Sequence, residues 1–555
     1  MPEAKAACAA PSGGQFLLAA PTSIFTPEQF DFEANLMIDA ARQFMRGEVM
    51  PVLERLDKLE EGLMPALVRK ACELGFGGPE TPVEYGGLGL AKSLGTRLLE
   101  MLSLDGAFST TFGVQMGIAQ LPISLFGTKE QKKKYLPLLT SGEWMGAYAL
   151  SEPDSGSDAL SISTRAVLSD DGREYRLTGT KMWTSNAKWA KLFTVFAKVN
   201  REQFTAFLVE RGNPGVSIGR EERKLGQKGS STARLILDDA QVPASNLLHR
   251  EGEGHWVAFN TLNLGRFKLA AGALGQAREA IHQAAKYAKD RKQFGRPIAD
   301  FGLIRDKFAR MAGWFFASES MLYRTGGLID AAFAKVDPEA HDLPEQNRKA
   351  SEEYQIECSM GKVLATETLA LCTDEALQIH GGYGYTEEFP VARLWRDARV
   401  TRIYEGTNEI NRLLIFSRVL RRGLVERLLD AEPTCPAHGY LVQAARAAMA
   451  CAQRDRPDSQ QVTAALGDLA ITVYAQQAAA ARARQMRHAG HAFADFAEAA
   501  AAFFEVHSTV WAAGRASEAM SRCGVSQPIS VAGDGYAYGE TLAEAVLESD
   551  GYPLG

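Results

Sequence analysis

A glutamate stands between an aromatic residue and a glycine at Tyr404-Glu405-Gly406, directly ahead of the helix-favouring run Asn408 to Leu420. A carboxylate on a glycine-hinged loop that opens a helix suits a general base; the same pattern also describes a surface turn. Three further segments carry unusual combinations. Tyr148–Asp158, YALSEPDSGSD, brings Ser151, Ser155 and Ser157 together with a proline and a glycine. Its hydroxyls and backbone N–H groups suit a polar ring edge or a phosphate, or simply a polar loop. Lys181–Asn186, KMWTSN, sets Trp183 inside a polar strand, where an indole either joins the core or covers a flat cofactor. Ile379–Thr386, IHGGYGYT, has Gly381, Gly382 and Gly384, which permit close backbone approach or form a turn between helices.

Other chemistries lack their residues. There is no GxxxxGK[ST], no GxGxxG between a strand and a helix in the N-terminal half, and no GxSxG, which disfavours a P-loop ATPase, a Rossmann dinucleotide site and a serine nucleophile elbow. The seven cysteines are far apart with no CxxC pair, and of the nine histidines only His488 and His491 are close, so no metal site is expected and a reduced, cytoplasmic setting is. Lys+Arg 61 against Asp+Glu 67 gives a net charge of -6, which argues against a broad nucleic-acid surface. No apolar run approaches a membrane span.

These segments need elements to position them. Over 555 residues, a hydrophobic share of 46% and a charged share of 23% fit a large globular chain of several structural units. Residues 1–24 read as a flexible tail. Thr26-Pro27-Glu28-Gln29 then spells a helix start with a capping box, and helical patterning defines a domain over 25–147. From 148 to 255 short period-two runs punctuated by Asp171-Gly172 and Pro214-Gly215 predict a β-domain, an antiparallel barrel or sandwich, since no helices separate the strands. Long helical segments return over 256–425, at Leu264–Asp290, Ile304–Ala334, Glu352–Ile379 and Asn408–Leu420. The Ala-rich stretch 426–555 reads as an extra helical domain.

Taken in order, PVEYGGLGL, FGTKEQKKKYLPLLTSGEWMGAYALSEPDSGSDA, YRLTGTKMWTSNA, LILDDAQVP, LNLGRFKLAAGALGQA, DRKQFGRPI and QIHGGYGYTEEFPVARLWRDARVTRIYEGTNEINRLL resemble the acyl-CoA dehydrogenase family over roughly residues 30 to 425. Length and the trailing helical module are most similar to its very-long-chain branch. The resemblance implies a mainly α fold with a middle β-domain: an N-terminal helical domain, a β-barrel or sandwich, a four-helix bundle, and here a C-terminal helical domain. It implies FAD as cofactor and conversion of a long-chain fatty acyl-CoA to the trans-2-enoyl-CoA in fatty-acid β-oxidation, with electrons passed to an electron-transferring flavoprotein. An acyl-CoA oxidase using O2, and a non-catalytic assembly or binding protein on the same scaffold, are the alternatives.

By the same resemblance Glu405 matches the base and Gly406 lets the thioester pass close to the backbone. Some relatives carry the base where Gly265 stands, so the glycine leaves Glu405 as the matching carboxylate. Tyr148, Leu150, Ser151 and Ser157 match one flavin segment, and Trp183, Thr184 and Ser185 a second. Arg291, Gln293, Gln378, Gly381 and Gly382 match residues that reach the FAD of a neighbouring subunit, which implies a homodimer; Thr407 and Glu409 match the last FAD segment. Ser157, Asn263 and Arg266 match positions contacting the CoA part. Ser109 and Gly113 share a helix face and match the floor of an acyl tunnel, where small side chains favour long chains. The four arginines Arg393, Arg396, Arg399 and Arg402 steer CoA phosphates or form a salt-bridged stripe with Asp397. The helix Tyr440 to Cys451, with Arg446 on its polar side, either packs on the bundle or makes peripheral contact with the inner face of the membrane.

Overall fold

A computed structural model of the chain describes residues 11–452, 459–525 and 538–555. The first ten residues of the expected tail, Cys8 among them, lie outside the described residues. The chain forms two compact units. One comprises Phe30–Tyr287 with Ala365–Thr407, and the other Met1–Gln29, Ala288–Leu364 and Asn408–Gly555.

In the first unit, the helices Phe32–Phe44, Leu63–Glu73, Lys92–Met101, Gly106–Gly113 and Lys129–Thr140 precede the sheet. Three of these starts are capped by the preceding side chain, Asp31, Asp105 and Thr128. Asp31 accepts from Ala34 N at 2.8 Å to cap the first helix. Thr128 and Gln131 close a capping box on the last. Half of the box expected at Thr26 is present: Thr26 N donates to the Gln29 side chain at 3.2 Å, while Gln29 N donates to the Thr26 carbonyl rather than to its hydroxyl. It caps only the single turn Pro27–Gln29, because Phe30 and Asp31 interrupt before the helix begins. Ile38, Ala41, Phe44, Leu98 and Met101 meet Phe108 and Phe112 in a continuous core, with the rings of Phe44 and Phe108 at 5.9 Å and of Phe108 and Phe112 at 5.4 Å.

The sheet has eight strands: β1 (Met145–Ala149), β2 (Arg165–Leu168), β3 (Glu174–Ser185), β4 (Ala190–Val199), β5 (Gln203–Glu210), β6 (Val216–Glu221), β7 (Thr232–Pro243) and β8 (Leu247–Leu248). They run β6-β7-β3-β2-β4-β5-β8, with β1 also on β4. Pairing is antiparallel except that β1 and β2 both lie parallel to β4. The sheet is therefore mixed, a departure from the purely antiparallel expectation. The long polar connection after β1 returns the chain so that β2 starts in the same direction. Leu177, Phe193, Val195, Phe207, Val209 and Leu235 fill one face. The helix Gly254–Asp290 follows and lies in this unit as far as Tyr287.

The second unit holds the helices Gly302–Phe333, Asn408–Arg421, Pro436–Ala452, Gln460–His488, Ala494–Arg522 and Gly539–Glu548. The stretch expected as a separate domain over 426–555 does not stand apart. A Cβ on Gly313 would lie 2.8 Å from Phe503 Cδ1, so the bundle helix and the C-terminal helices share one interior. Residues 11–24 are not a loose tail either. Phe16 and Leu17 are buried, and Gly14 N donates to Glu357 at 2.6 Å. In the helix Pro436–Ala452, Leu441, Val442, Ala444 and Ala445 are buried while Arg446 is exposed. Its apolar face is spent on packing within the unit, not left for a membrane.

Candidate active site

Glu405 lies between the turn Arg399–Arg402 and the helix Asn408–Arg421. Its φ is +57°, followed by +80° at Gly406. A left-handed residue with a side chain is strained and persists only where neighbours fix it. Here Arg266 Nε donates to the Glu405 carbonyl at 3.1 Å, and Arg266 Nη1 donates to Asn263 Oδ1 at 3.2 Å. Both side chains are buried on the helix Gly254–Asp290.

The Glu405 carboxylate occupies the hollow that Gly265 leaves. A Cβ at 265 would stand 3.0 Å from Glu405 Oε2 and 3.2 Å from Ile118 Cγ2. Two phenols close the surroundings. Burial, and then the nearby Glu405 charge, push the Tyr148 phenol well above its usual range; its hydroxyl donates to the Ala258 carbonyl at 3.3 Å. The Tyr404 phenol is also raised, chiefly by burial, and accepts from Gln227 Nε2 at 3.3 Å. An acid, a cation and two half-buried phenols thus converge where a proton could be taken up.

The two serine- and tryptophan-bearing segments come together. Met182 N donates to the Ser151 carbonyl at 2.8 Å, which sets Leu150 and Ser151 beside Trp183, Thr184 and Ser185. A bulge between Lys181 and Thr184 turns Trp183 outward, with φ +57° and 58% of its surface exposed. An exposed indole on a strained strand position is a poor use of a core residue and a good wall for a flat ring. Thr184, one residue on, is 1% exposed, and its hydroxyl has no hydrogen-bond partner among the described residues. An orphaned buried hydroxyl beside an open aromatic face fits the polar edge of a flavin. The residues present therefore fit FAD. Ser157 is exposed on the same loop.

Other expected residues sit elsewhere. Gln378, Gly381 and Gly382 are exposed where the helix Gln355–His380 gives way to the turn Gly381–Tyr385; Gly381 has φ +59°. Thr407 is half-buried at the end of the first unit. Arg291, Gln293 and Glu409 belong to the second unit and are exposed. Arg291 and Gln293 lie on a hairpin, Lys292–Gln293 against Arg296–Pro297, whose tip Phe294 is 95% exposed.

Ser109 and Gly113 diverge. Ser109 donates to Ser103 Oγ at 2.8 Å and packs on Gly272 of the long helix, so it belongs to a helix contact. Gly113 is half-buried, and a Cβ there would meet only Leu99 Cδ1 at 3.8 Å. Three of the four arginines are salt-bridged: Arg393 to Asp57 at 3.2 Å, Asp105 at 3.0 Å and Asp397 at 3.9 Å, Arg396 to Glu387 at 3.1 Å, and Arg402 to Glu367 at 3.3 Å, while Arg399 is exposed. Sequence reasoning passed over Glu152 and Lys181, although both lie inside segments it singled out. Their buried ion pair at 2.7 Å is a long-range fact with no local signal.

Three family models cover most of the chain: acyl-CoA dehydrogenase N-terminal domain over residues 32–143, middle domain over 147–240 and C-terminal domain over 252–420. A probable acyl-CoA dehydrogenase of Bacillus subtilis is 42% identical, covering 86% of each chain. The very long-chain specific acyl-CoA dehydrogenase, mitochondrial, of Macaca fascicularis is 40% identical over 71% of this chain and 58% of its own. The crystal structure of an acyl-CoA dehydrogenase complexed with FAD from Bacillus anthracis superimposes with a TM-score of 0.90 at 36% identity, covering 98% of this chain and all of that one.

Proposed function

The chain belongs to the acyl-CoA dehydrogenase family and is an FAD-dependent oxidoreductase, and from that premise we propose that it converts long-chain fatty acyl-CoA to trans-2-enoyl-CoA in fatty-acid β-oxidation. The observation that carries the reading is Glu405: its carboxylate fills the Gly265 hollow, its carbonyl is held by Arg266, and Tyr148 and Tyr404 stand beside it. The proton alpha to a thioester is weakly acidic, so a fixed carboxylate must meet it in a site that excludes water. Glu405 takes that proton. FAD, when bound, accepts the hydride from the adjacent carbon.

The remaining residues bind and orient. Trp183 covers the ring, and Tyr148, Leu150, Ser151, Thr184 and Ser185 line its edge. Gly406 leaves the backbone open beside the thioester. Asn263 holds Arg266, and through it the base loop. Arg291 and Gln293 reach the flavin of a second copy in a homodimer, a role their exposure on a hairpin with an apolar tip supports. Gln378, Gly381 and Gly382 likewise reach the second copy's flavin, Thr407 contacts the cofactor, and Ser157 serves both cofactor and CoA. Electrons leave to an electron-transferring flavoprotein. The protein works in the cytoplasm. No helix among the described residues is long and apolar enough to cross a membrane; peripheral contact, if used, needs a face other than that of the helix Pro436–Ala452.

The test is turnover of the FAD-loaded protein with an artificial acceptor, over acyl-CoA substrates from butyryl-CoA upward. An optimum at about twelve carbons or more is expected, and an optimum at butyryl-CoA overturns the long-chain assignment. Anaerobic bleaching by acyl-CoA followed by slow reoxidation in air separates dehydrogenase from oxidase. Sedimentation of a stable FAD-loaded monomer would overturn the homodimer.

A further inference from the structure

A buried ion pair that the proposed chemistry does not use joins the two segments read as facing the flavin. Lys181 Nζ lies 2.7 Å from Glu152 Oε1, with both side chains almost wholly buried. Lys181 also donates to the Leu150 carbonyl at 3.2 Å. The Glu152 carboxylate accepts from Ser163 N at 2.6 Å, Ser163 Oγ at 2.7 Å and Thr164 N at 3.1 Å.

The pair sits where strand pairing gives out. Lys181 opposes Leu235 and Thr184 opposes Ala233, so three steps on β3 answer two on β7. The extra residue lifts β3 off its ladder at Met182 and Trp183. What replaces the ladder is the Met182 N–H on the Ser151 carbonyl together with the Lys181 ammonium on Leu150 and Glu152. Apolar residues of similar volume would stabilise an interior at least as well as two buried charges. The pair therefore supplies geometry: a fixed separation between residues 150–151 and 184–185, on the stretch where the sheet no longer sets it.

We infer that Lys181, held by Glu152, is a positioning residue for the flavin, setting the spacing of the two ring-facing segments and the face that Trp183 presents. The inference rests on reading those segments as the flavin site. The double variant Glu152→Gln/Lys181→Met removes the pair without leaving an uncompensated charge, and Thr184→Val tests the segment assignment itself. Each apoprotein is titrated with FAD, its melting temperature is measured, and the long-wavelength absorption band of the bound flavin is recorded.

For the double variant, FAD affinity should fall at least about tenfold, the loss of two charge-assisted hydrogen bonds, and the band should shift. Wild-type affinity with an unshifted band overturns the inference, whatever the melting temperature. So does failure to fold even with saturating FAD, because the pair then belongs to the sheet's scaffold. If Thr184→Val also leaves affinity and band unchanged, the flavin-segment reading has failed. If Thr184→Val alters them and the double variant does not, only the positioning role is lost.

Discussion

The conformation of Glu405 is costly and its surroundings explain why it is kept. A left-handed φ on a residue with a side chain carries a strain of about 1–3 kcal/mol, yet the neighbouring Gly406 could have taken the turn alone. The strained geometry aims the carboxylate into the Gly265 hollow. Glu405→Gln should keep FAD and lose at least about three orders of magnitude in turnover, since the amide cannot accept the proton. Steady-state kinetics on the FAD-loaded variant decide this, and retention of more than about a tenth of wild-type turnover removes Glu405 as the base. Chain length belongs to the same scale. With Ser109 engaged by Ser103, Gly113 is the position of the two that leaves room for a side chain. The rings of Phe108 and Phe112 do not refill that room, being stacked in the core beside Phe44. Gly113→Gln should shift preference to shorter acyl chains with the flavin spectrum unaltered, each excluded CH2 being worth roughly 0.8 kcal/mol. An unchanged chain-length profile refutes it. That Glu405 sits on a turn ahead of a helix was legible from Tyr-Glu-Gly, while its assignment as the base came from the family resemblance; the contrast between Ser109 and Gly113 was not legible, because it depends on which neighbour reaches each position.

At the scale of elements, the bulge in β3 does what an uninterrupted strand could not. It turns Trp183 out and leaves Glu152 and Lys181 to hold the gap. The Lys181 charge and the hydrogen bonds from Ser163 and Thr164 outweigh burial and hold the Glu152 carboxyl down at about 2, against 4.5 when unperturbed. A carboxylate depressed in the folded state contributes stability that is complete above its unfolded value and is lost as pH falls through its folded value. Wild-type melting temperature should therefore fall more steeply between pH 4.5 and about 2 than that of Glu152→Gln; parallel curves from calorimetry in that window contradict the pair's role in stability. The helices were readable from the residues alone. Gln355–His380 and Gly302–Phe333 lie within a few residues of the spans predicted from sequence, because long runs rich in helix formers favour helix, and both end up buried nearly all round. The parallel pairing of β1 and β2 with β4 was not readable, since partner choice is settled by distant strands. Nor was the bulge: it shifts the buried positions from Leu177 and Lys181 to Thr184, but Lys and Thr at the shifted sites hide the change of phase from a hydrophobic pattern.

The whole molecule interleaves segments that periodicity treats as separate. Residues 11–29, 288–364 and 408–555 make one unit, and its interior is joined at Arg482. This guanidinium is fully buried. It donates to Glu319 Oε2 at 2.8 Å on the helix Gly302–Phe333 and to Glu28 Oε1 at 3.1 Å on the N-terminal segment. Glu319 also accepts from the Tyr552 hydroxyl at 3.2 Å, near the C-terminus. Arg482 thus ties the N-terminal segment to the middle of the sequence and Glu319 extends the network to Tyr552, which adds to the packing that joins 426–555 to the rest of its unit. Arg482→Met would leave two carboxylates facing each other in an apolar interior, and breaking a buried ion pair on one side costs about 3–5 kcal/mol. Against a total stability of about 5–15 kcal/mol, the melting temperature should drop by several degrees. Arg482→Lys should recover only part of the loss, because a single ammonium cannot fork to both carboxylates as a guanidinium does. The Glu28→Gln/Arg482→Met/Glu319→Gln variant, which leaves no unpaired charge, should melt well above Arg482→Met alone. A melting temperature for Arg482→Met within about one degree of wild type would mean that packing, such as that of residue 482 on the Phe316 ring, 4.8 Å from the guanidinium in the wild type, and not this charge, joins the three segments.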